Sequence, residues 1–195
     1  MSDNYHGRDK HCPPEYAERV VPGMTRLRLA AWFHGLGFTR GAEIGVADGR
    51  NSLMLCQAMP GLELLCVDPW RKYGANPRGG PQEQHDGNHA KASARLKPFN
   101  ATLVRAKSMD AVRDVPLASL DFVHIDGHHG FDYVLQDLTE WSKRVRSGGI
   151  VSGHDFYHFR NAGVCEAVVA YTEAHGISDW FVCDEREPSF WWIKQ

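Results

Sequence analysis

Glu43-Ile44-Gly45-Val46-Ala47-Asp48-Gly49-Arg50-Asn51-Ser52 is the stretch on which the fold turns. An apolar run over 41–46 fits a strand, two glycines follow, and a helical run begins. Glycines at a strand-to-helix turn let backbone approach a ligand, and free amides at a helix start favour polar or anionic groups. A tight turn that serves packing alone is the other reading. The next strand, 62–67, ends in Val67-Asp68, about 20 residues downstream, where nucleotide-binding α/β folds place the acid that takes ribose hydroxyls. A carboxylate at a strand end offers two rigid acceptors for a diol. The turn is not Gly-x-Gly-x-x-Gly, because Ala47 and Arg50 stand where glycines would admit a pyrophosphate. This counts against NAD and FAD and favours a nucleoside ligand without a pyrophosphate.

Outward from this turn, strand-length apolar runs alternate with amphipathic helical runs. The strands expected are 41–46, 62–67, 101–105, 119–126, 148–153, 177–183 and 189–194, with helices near 51–59, 88–97, 108–113, 130–146 and 161–174. Such alternation implies an α/β, Rossmann-like, doubly wound and mostly parallel seven-stranded sheet. The link 184–188 is too short for a crossover helix, so the final strand is expected to run antiparallel. In the helix after residue 130, Phe131, Val134, Leu135, Leu138, Trp141 and Val145 form one apolar stripe, which is packing. Thr25 is a cap for a lead helix in which Leu27, Ala30, Ala31 and Leu36 face inward, stopped by Gly35 and Gly37. Residues 1–24, with three prolines, read as an arm. The expected organisation is an arm and lead helix over 1–40 and one α/β domain over 41–195. Residues 69–87, rich in Gly, Pro and polar groups, read as a loop beside a site.

The fourth expected strand ends Val123-His124-Ile125-Asp126, followed by Gly127-His128-His129, and the fifth ends Ser152-Gly153-His154-Asp155. With a period of two, His124 and Asp126 share a face, and Asp126 and Asp155 both sit at carboxyl ends. Two carboxylates on neighbouring strand ends repel unless a cation or proton lies between them, and an Mg²⁺-type ion prefers such oxygens. His129, three residues past Asp126, is within reach as a general base, with a cap or structural role as the alternative. His124 reads as a satisfied strand histidine, and His128 as surface or pocket lining. His154 is the weaker ligand, because strand neighbours point to opposite faces.

The chain has 195 residues, 43% hydrophobic and 24% charged, a composition that excludes disordered and fibrous classes. Lys+Arg number 22 against 24 Asp+Glu, a net charge of -2 that lacks the basic footprint of nucleic-acid binders. No apolar leader opens the chain and no apolar run spans a membrane; five cysteines without a CxxC pair fit a reducing cytoplasm. Of the 11 histidines, His6, His11, His85, His89 and His175 read as surface or loop.

Acid-x-Gly-x-x-x-Gly at Glu43–Gly49 resembles the first motif of class I S-adenosylmethionine-dependent methyltransferases. The resemblance implies that Glu43, Gly45, Gly49 and Ser52 line the turn at the methionine end and that Asp68 holds the ribose. It further implies that Ser108 contacts adenine, unless it simply caps its helix, and that Asp126 borders the cofactor. Ile-Asp-Gly-x-His followed by Gly-Gly-x-x-x-x-His-Asp is similar to the metal-dependent O-methyltransferases of the macrocin type and to cephalosporin-hydroxylase-like relatives. There the two acids bind magnesium and the histidine is the base, here Asp126, Asp155 and His129; no third ligand is matched. The implied cofactors are S-adenosyl-L-methionine and Mg²⁺. The implied partner is a small-molecule hydroxyl acceptor, a sugar or glycoside, with neither nucleic acid nor membrane. Acceptor specificity is expected from residues 1–24, 69–87 and 156–160; Trp70, Tyr73, Tyr157 and Trp180 could stack on the acceptor, with packing the better reading for most of them. Phe190, Trp191 and Trp192 suggest a strand buried against a second copy. Two other readings stand: a zinc hydrolase built on His124, Asp126, His128 and His129, and a non-catalytic S-adenosylmethionine-binding accessory protein.

Overall fold

The strands of the computed structural model are β1 (Val20–Val21), β2 (Arg40–Ile44), β3 (Glu63–Val67), β4 (Ala101–Val104), β5 (Leu120–Ile125), β6 (Val145–Gly153), β7 (Trp180–Cys183) and β8 (Phe190–Ile193). Residues 10–72, 80–159 and 162–195 are described; His6, Tyr73 and Arg160 lie outside them. The strands form one sheet in the order β1-β7-β8-β6-β5-β2-β3-β4, parallel except for β8, which runs antiparallel to both β6 and β7. All seven expected strands are present, with the antiparallel one where the short 184–188 link requires it. The count of seven is corrected to eight, because Val20 and Val21 pair with Val182 and Cys183 at the edge of the sheet.

Helices α1 (Arg26–Gly35), α2 (Arg50–Ala58) and α3 (Gln82–Leu96) cover one face, burying Leu29, Ala30, Phe33, Leu55, Cys56, Ala92 and Leu96 against Leu64, Cys66, Phe122 and Ile150. Helices α4 (Ser108–Ala111), α5 (Phe131–Ser142) and α6 (Val164–Ala174) cover the other, where Val134, Leu138, Trp141 and Val168 meet Ala42, Ile44, Val123 and Val151. This is the doubly wound arrangement, and β2 is buried along four of its five residues because helices shield both of its faces.

Several boundaries differ from expectation for identifiable reasons. Val145 continues the helical spacing from Trp141, yet α5 ends at Ser142 and Val145 opens β6 opposite Leu120. Both arrangements bury Val145, so its hydrophobicity could not separate them. Phe131, at the head of the stripe, is exposed. α3 starts at Gln82, so His85 and His89 are helical and the loop is shorter than 69–87. Thr25 does cap α1, accepting from the Arg28 amide at 3.3 Å, but the inward face is Leu29, Ala30 and Phe33; Leu27, Ala31 and Leu36 are exposed. The described part of the arm packs onto the core: Tyr16, in a 3₁₀ turn over Pro14–Arg19, meets Phe156 at 5.5 Å and Trp180 at 5.9 Å between ring centroids. Phe190, Trp191 and Trp192 are buried within the chain itself, because β8 lies between β6 and β7, so they present no surface to a second copy. Among the described residues no helix is long and apolar enough to cross a membrane.

Candidate active site

β2 has β3 on one side and β5 on the other, so the chain winds away from β2 in one direction and then resumes on its opposite side. In such sheets ligands bind outside the carboxyl ends of the strands at this switch point. Read across β3, β2, β5 and β6, the carboxyl ends carry Asp68, the glycine turn, Asp126 and His154-Asp155 in one row.

The glycine turn is fitted to its own neighbours. At Gly45 (φ +90°) a Cβ would sit 2.0 Å from the carbonyl oxygen of Asp126. Gly49 (φ +79°) precedes α2, and a Cβ there would sit 2.9 Å from Cα of Ala92 in α3. Both glycines are therefore required by close approach of chain to chain, the packing alternative of the sequence reading. Asp68 braces the turn: Oδ2 accepts from the amides of Val46 and Ala47, each at 3.0 Å, and Oδ1 from that of Trp70 at 2.6 Å. An oxygen that accepts one bond keeps a second acceptor site, so Oδ1 retains room for a hydroxyl while Oδ2 is filled. Only one of the two acceptors expected for a diol is thus left open. Ala47 (φ +46°) and Trp70 (φ +39°) are both in the left-handed region and are joined by Trp70 Nε1 donating to the Ala47 carbonyl at 2.7 Å. Non-glycine residues held there cost about 1–3 kcal/mol each and persist only when the surroundings fix them.

Glu43 and Ser52 lie beneath the turn with almost no exposed surface; Ser52 Oγ donates to Glu43 Oε2, and Asn51 Nδ2 donates to Oε1 at 2.9 Å. Burial pushes the Glu43 carboxyl up to about 8, against the lowering effect of those two bonds. Ser108 is not the cap of α4, a place taken by Lys107. Its hydroxyl donates to buried Asp137 and accepts from Trp141 Nε1 at 2.7 Å, which ties α4 to α5.

At the other end of the row, Ile125 and Gly153 are paired, so the next residues, Asp126 and His154, emerge side by side. Residues opposite each other on neighbouring strands share a face, and that brings His154 to Asp126. Asp155 then leaves strand geometry with φ +61° and returns its carboxylate to the same place. His154 Nδ1 lies 3.0 Å from Asp155 Oδ1 and 3.6 Å from Asp126 Oδ2. His129 Nε2 lies 3.2 Å from Asp155 Oδ2 and 3.5 Å from Asp126 Oδ1. Against the expectation that strand alternation turns His154 away from the acids, His154 keeps its register beside Asp126, and it is Asp155 that departs from strand alternation.

One donor atom each from Asp126, His154 and Asp155 fall within 4.8 Å of one another, so these three residues could hold a metal ion, with His154 as a third donor beside the two carboxylates. Two carboxylates match the charge of a divalent cation. The bond with Asp126 and the charge of Asp155 raise the affinity of His129 for its proton, with burial opposing them. Burial pushes Asp155 up, but bonding from His154 and the charges of His154, His129 and Lys10 outweigh it and hold the carboxyl below its ordinary range. Lys10, from the arm, pairs with Glu187 and lies 5.8 Å from the centroid of the Tyr157 ring. The remaining histidines of the hydrolase reading disperse. His124 is buried against Ser152 Oγ at 3.1 Å, and His128 packs on Tyr133 at 4.1 Å between centroids. Trp70 and Trp180 are core residues and Tyr157 is nearly so.

Residues 42–156, more than half of the chain, match the family described as Methyltransferase domain. A protein of Sinorhizobium fredii, y4gI, is 25% identical over 126 residues, which is 63% of this chain; the chain spans only 14% of that relative's length. Among solved structures, the O-methyltransferase TomG of Streptomyces achromogenes, involved in tomaymycin synthesis and in complex with SAM, superposes with a TM-score of 0.61 at 16% identity, covering 87% of this chain and 79% of TomG. The O-methyltransferase of Bacillus cereus in complex with SAH gives 0.65 at 10% identity, covering 95% and 83%. The O-methyltransferase NovP gives 0.64 at 15% identity, covering 87% and 79%. These likenesses bear on the fold, and with the matched span they lead to one conclusion. The chain belongs to the methyltransferase-domain family and shares its fold with these O-methyltransferases.

Proposed function

We propose that this chain is an S-adenosylmethionine-dependent O-methyltransferase that methylates a hydroxyl of a small molecule, a sugar or glycoside, with a divalent cation at Asp126, His154 and Asp155. The observation that carries the reading is the row of strand ends that sets Asp68 and the glycine turn beside the Asp126–His129–His154–Asp155 cluster along one edge of the sheet. The cofactor, when bound, supplies an electrophilic methyl group on a sulfonium. The cation supplies charge neutralisation and lowers the pKa of a hydroxyl beside it. Asp68 Oδ1 accepts from a ribose hydroxyl, while its amide bonds hold the turn in place. Asp126 and Asp155 orient the acceptor hydroxyl toward His129, and Nε2 of His129 takes its proton. The rest of the rate comes from positioning and exclusion of water. The cysteines described are all free, which supports a reducing cytoplasm as the setting.

Calorimetry with S-adenosylhomocysteine tests the cofactor reading; no heat of binding at millimolar ligand would sink it. Methyl transfer to a panel of sugar and glycoside acceptors tests the reaction, and chelation should abolish it until a divalent ion is restored. Turnover indifferent to chelator removes the metal from the proposal and leaves the methyltransferase standing.

A further inference from the structure

Resting on that reading of the site, we propose that the site discriminates among cations: His154 makes it select a first-row transition ion, of the Mn²⁺ and Co²⁺ type, over Mg²⁺. Three observations carry this. The first is position. Donors next to each other around an octahedral ion at about 2.1 Å lie about 3 Å apart. His154 Nδ1 and Asp155 Oδ1 are separated by 3.0 Å, with Asp126 Oδ2 at 3.6 Å. The second is constraint. His154 is buried, its amide donates to the Ile125 carbonyl at 3.0 Å, and the strand register places it beside Asp126, so its backbone is held at the site. The third is donor chemistry. Mg²⁺ takes oxygen ligands, demands near-ideal geometry and sheds water reluctantly, whereas imidazole nitrogen suits transition ions, whose affinities rise from Mn²⁺ through Co²⁺. A neutral imidazole also leaves the ligand charge at two carboxylates, the amount that a divalent ion cancels. The other use of this geometry is a protonated His154 that serves only as counter-charge to Asp126 and Asp155, and it predicts no preference among metals.

The experiment is calorimetric titration of the chelator-treated full chain with Mg²⁺ and Mn²⁺, in the wild type and in His154→Asp. The wild type should bind Mn²⁺ at least about tenfold more tightly than Mg²⁺, and the all-carboxylate variant should bring the two within about twofold. Mg²⁺ binding as tight as Mn²⁺ in the wild type overturns the proposal and leaves the metal-dependent reading intact; a preference that survives His154→Asp also overturns it. If neither ion binds the wild type, this proposal and the metal part of the proposed function fall together. Because the variant alters a buried residue, the wild type carries a second measurement. The electron-spin-echo spectrum of bound Mn²⁺ should show coupling to one imidazole nitrogen, and a spectrum with oxygen and water ligands alone overturns the assignment.

Discussion

The two ends of the row are built on opposite principles. At the β3–β2 end, Asp68 accepts three backbone amides at 2.6–3.0 Å and Glu43 is satisfied by Asn51 and Ser52. At the β5–β6 end, two carboxylates and two imidazoles meet at 3.0–3.6 Å, and the buried Nε2 of His154 has no partner among the described residues. The first end has its polar groups satisfied within the chain, apart from one acceptor site left on Asp68 Oδ1. The second gathers like charges, an arrangement that favours a cation and a proton-accepting imidazole. The Gly45–Asp126 contact is the seam between them. The comparison holds if substitutions on either side of the seam separate binding from turnover.

The largest effect is expected at His129. His129→Ala should lower kcat by about 10²–10⁴-fold, the range of a lost general base, while S-adenosylhomocysteine affinity stays within about twofold. Equal losses in binding and turnover would show that the two ends are not separate. Gly45→Ala acts on the seam itself. A side chain there combines a left-handed φ with a Cβ only 2.0 Å from the Asp126 carbonyl oxygen, so the unfolding free energy should fall by about 3 kcal/mol. Chemical denaturation measures this; a variant as stable as the wild type would mean that the turn relaxes freely and that the packing requirement is overstated.

Much of this division can be read in the sequence, because the residues that define it obey local rules. Asp68, Asp126 and the alternation of strands and helices follow from apolar runs that end in acids. His154 does not, because the face it shows depends on the pairing of β5 with β6, which no local pattern encodes, and on Asp155 at φ +61°. Val145 illustrates the same limit: helix α5 and strand β6 would each bury it, and tertiary pairing chose the strand. Thr25 announced α1 correctly, whereas its inward face depended on where the sheet lay, and that fell to Leu29 and Phe33. The roles of Ser108 and Glu43 were hidden for another reason. Their partners Asp137 and Ser52 are ordinary polar residues until burial makes each bond indispensable.

Asp68→Asn tests whether the β3–β2 end is held by charge or by shape. The amide keeps an oxygen for one set of backbone donors and turns an N–H₂ toward the other, so S-adenosylhomocysteine should bind about 10- to 100-fold more weakly. A metal titration of the same variant should be unchanged, since Asp68 lies across β2 from the β5–β6 cluster. If metal affinity falls in step with cofactor affinity, the two ends are coupled through the turn.

The effect that separates the ends by charge is at Glu43. Its ordinary pKa is 4.5, and burial beneath the turn raises it to about 8. A carboxyl raised on folding binds its proton more tightly in the native state, so the unfolded chain holds fewer protons between those values. Its contribution to stability is therefore fully present below pH 4.5 and is lost as the pH climbs toward 8, with a slope of at most about 1.4 kcal/mol per pH unit. Glu43→Gln keeps the shape and cannot ionise, so its denaturation midpoint should lose that decline across the same window and match the wild type at the acid end. Parallel curves for the two proteins from pH 5 to 8 would show that Glu43 is ionised throughout. A neutral Glu43 leaves Asp68 as the carboxylate that answers a ligand at its end of the row, against the pair at Asp126 and Asp155. Under the proposed function, that asymmetry directs a cation to one end and leaves the other for an uncharged ribose.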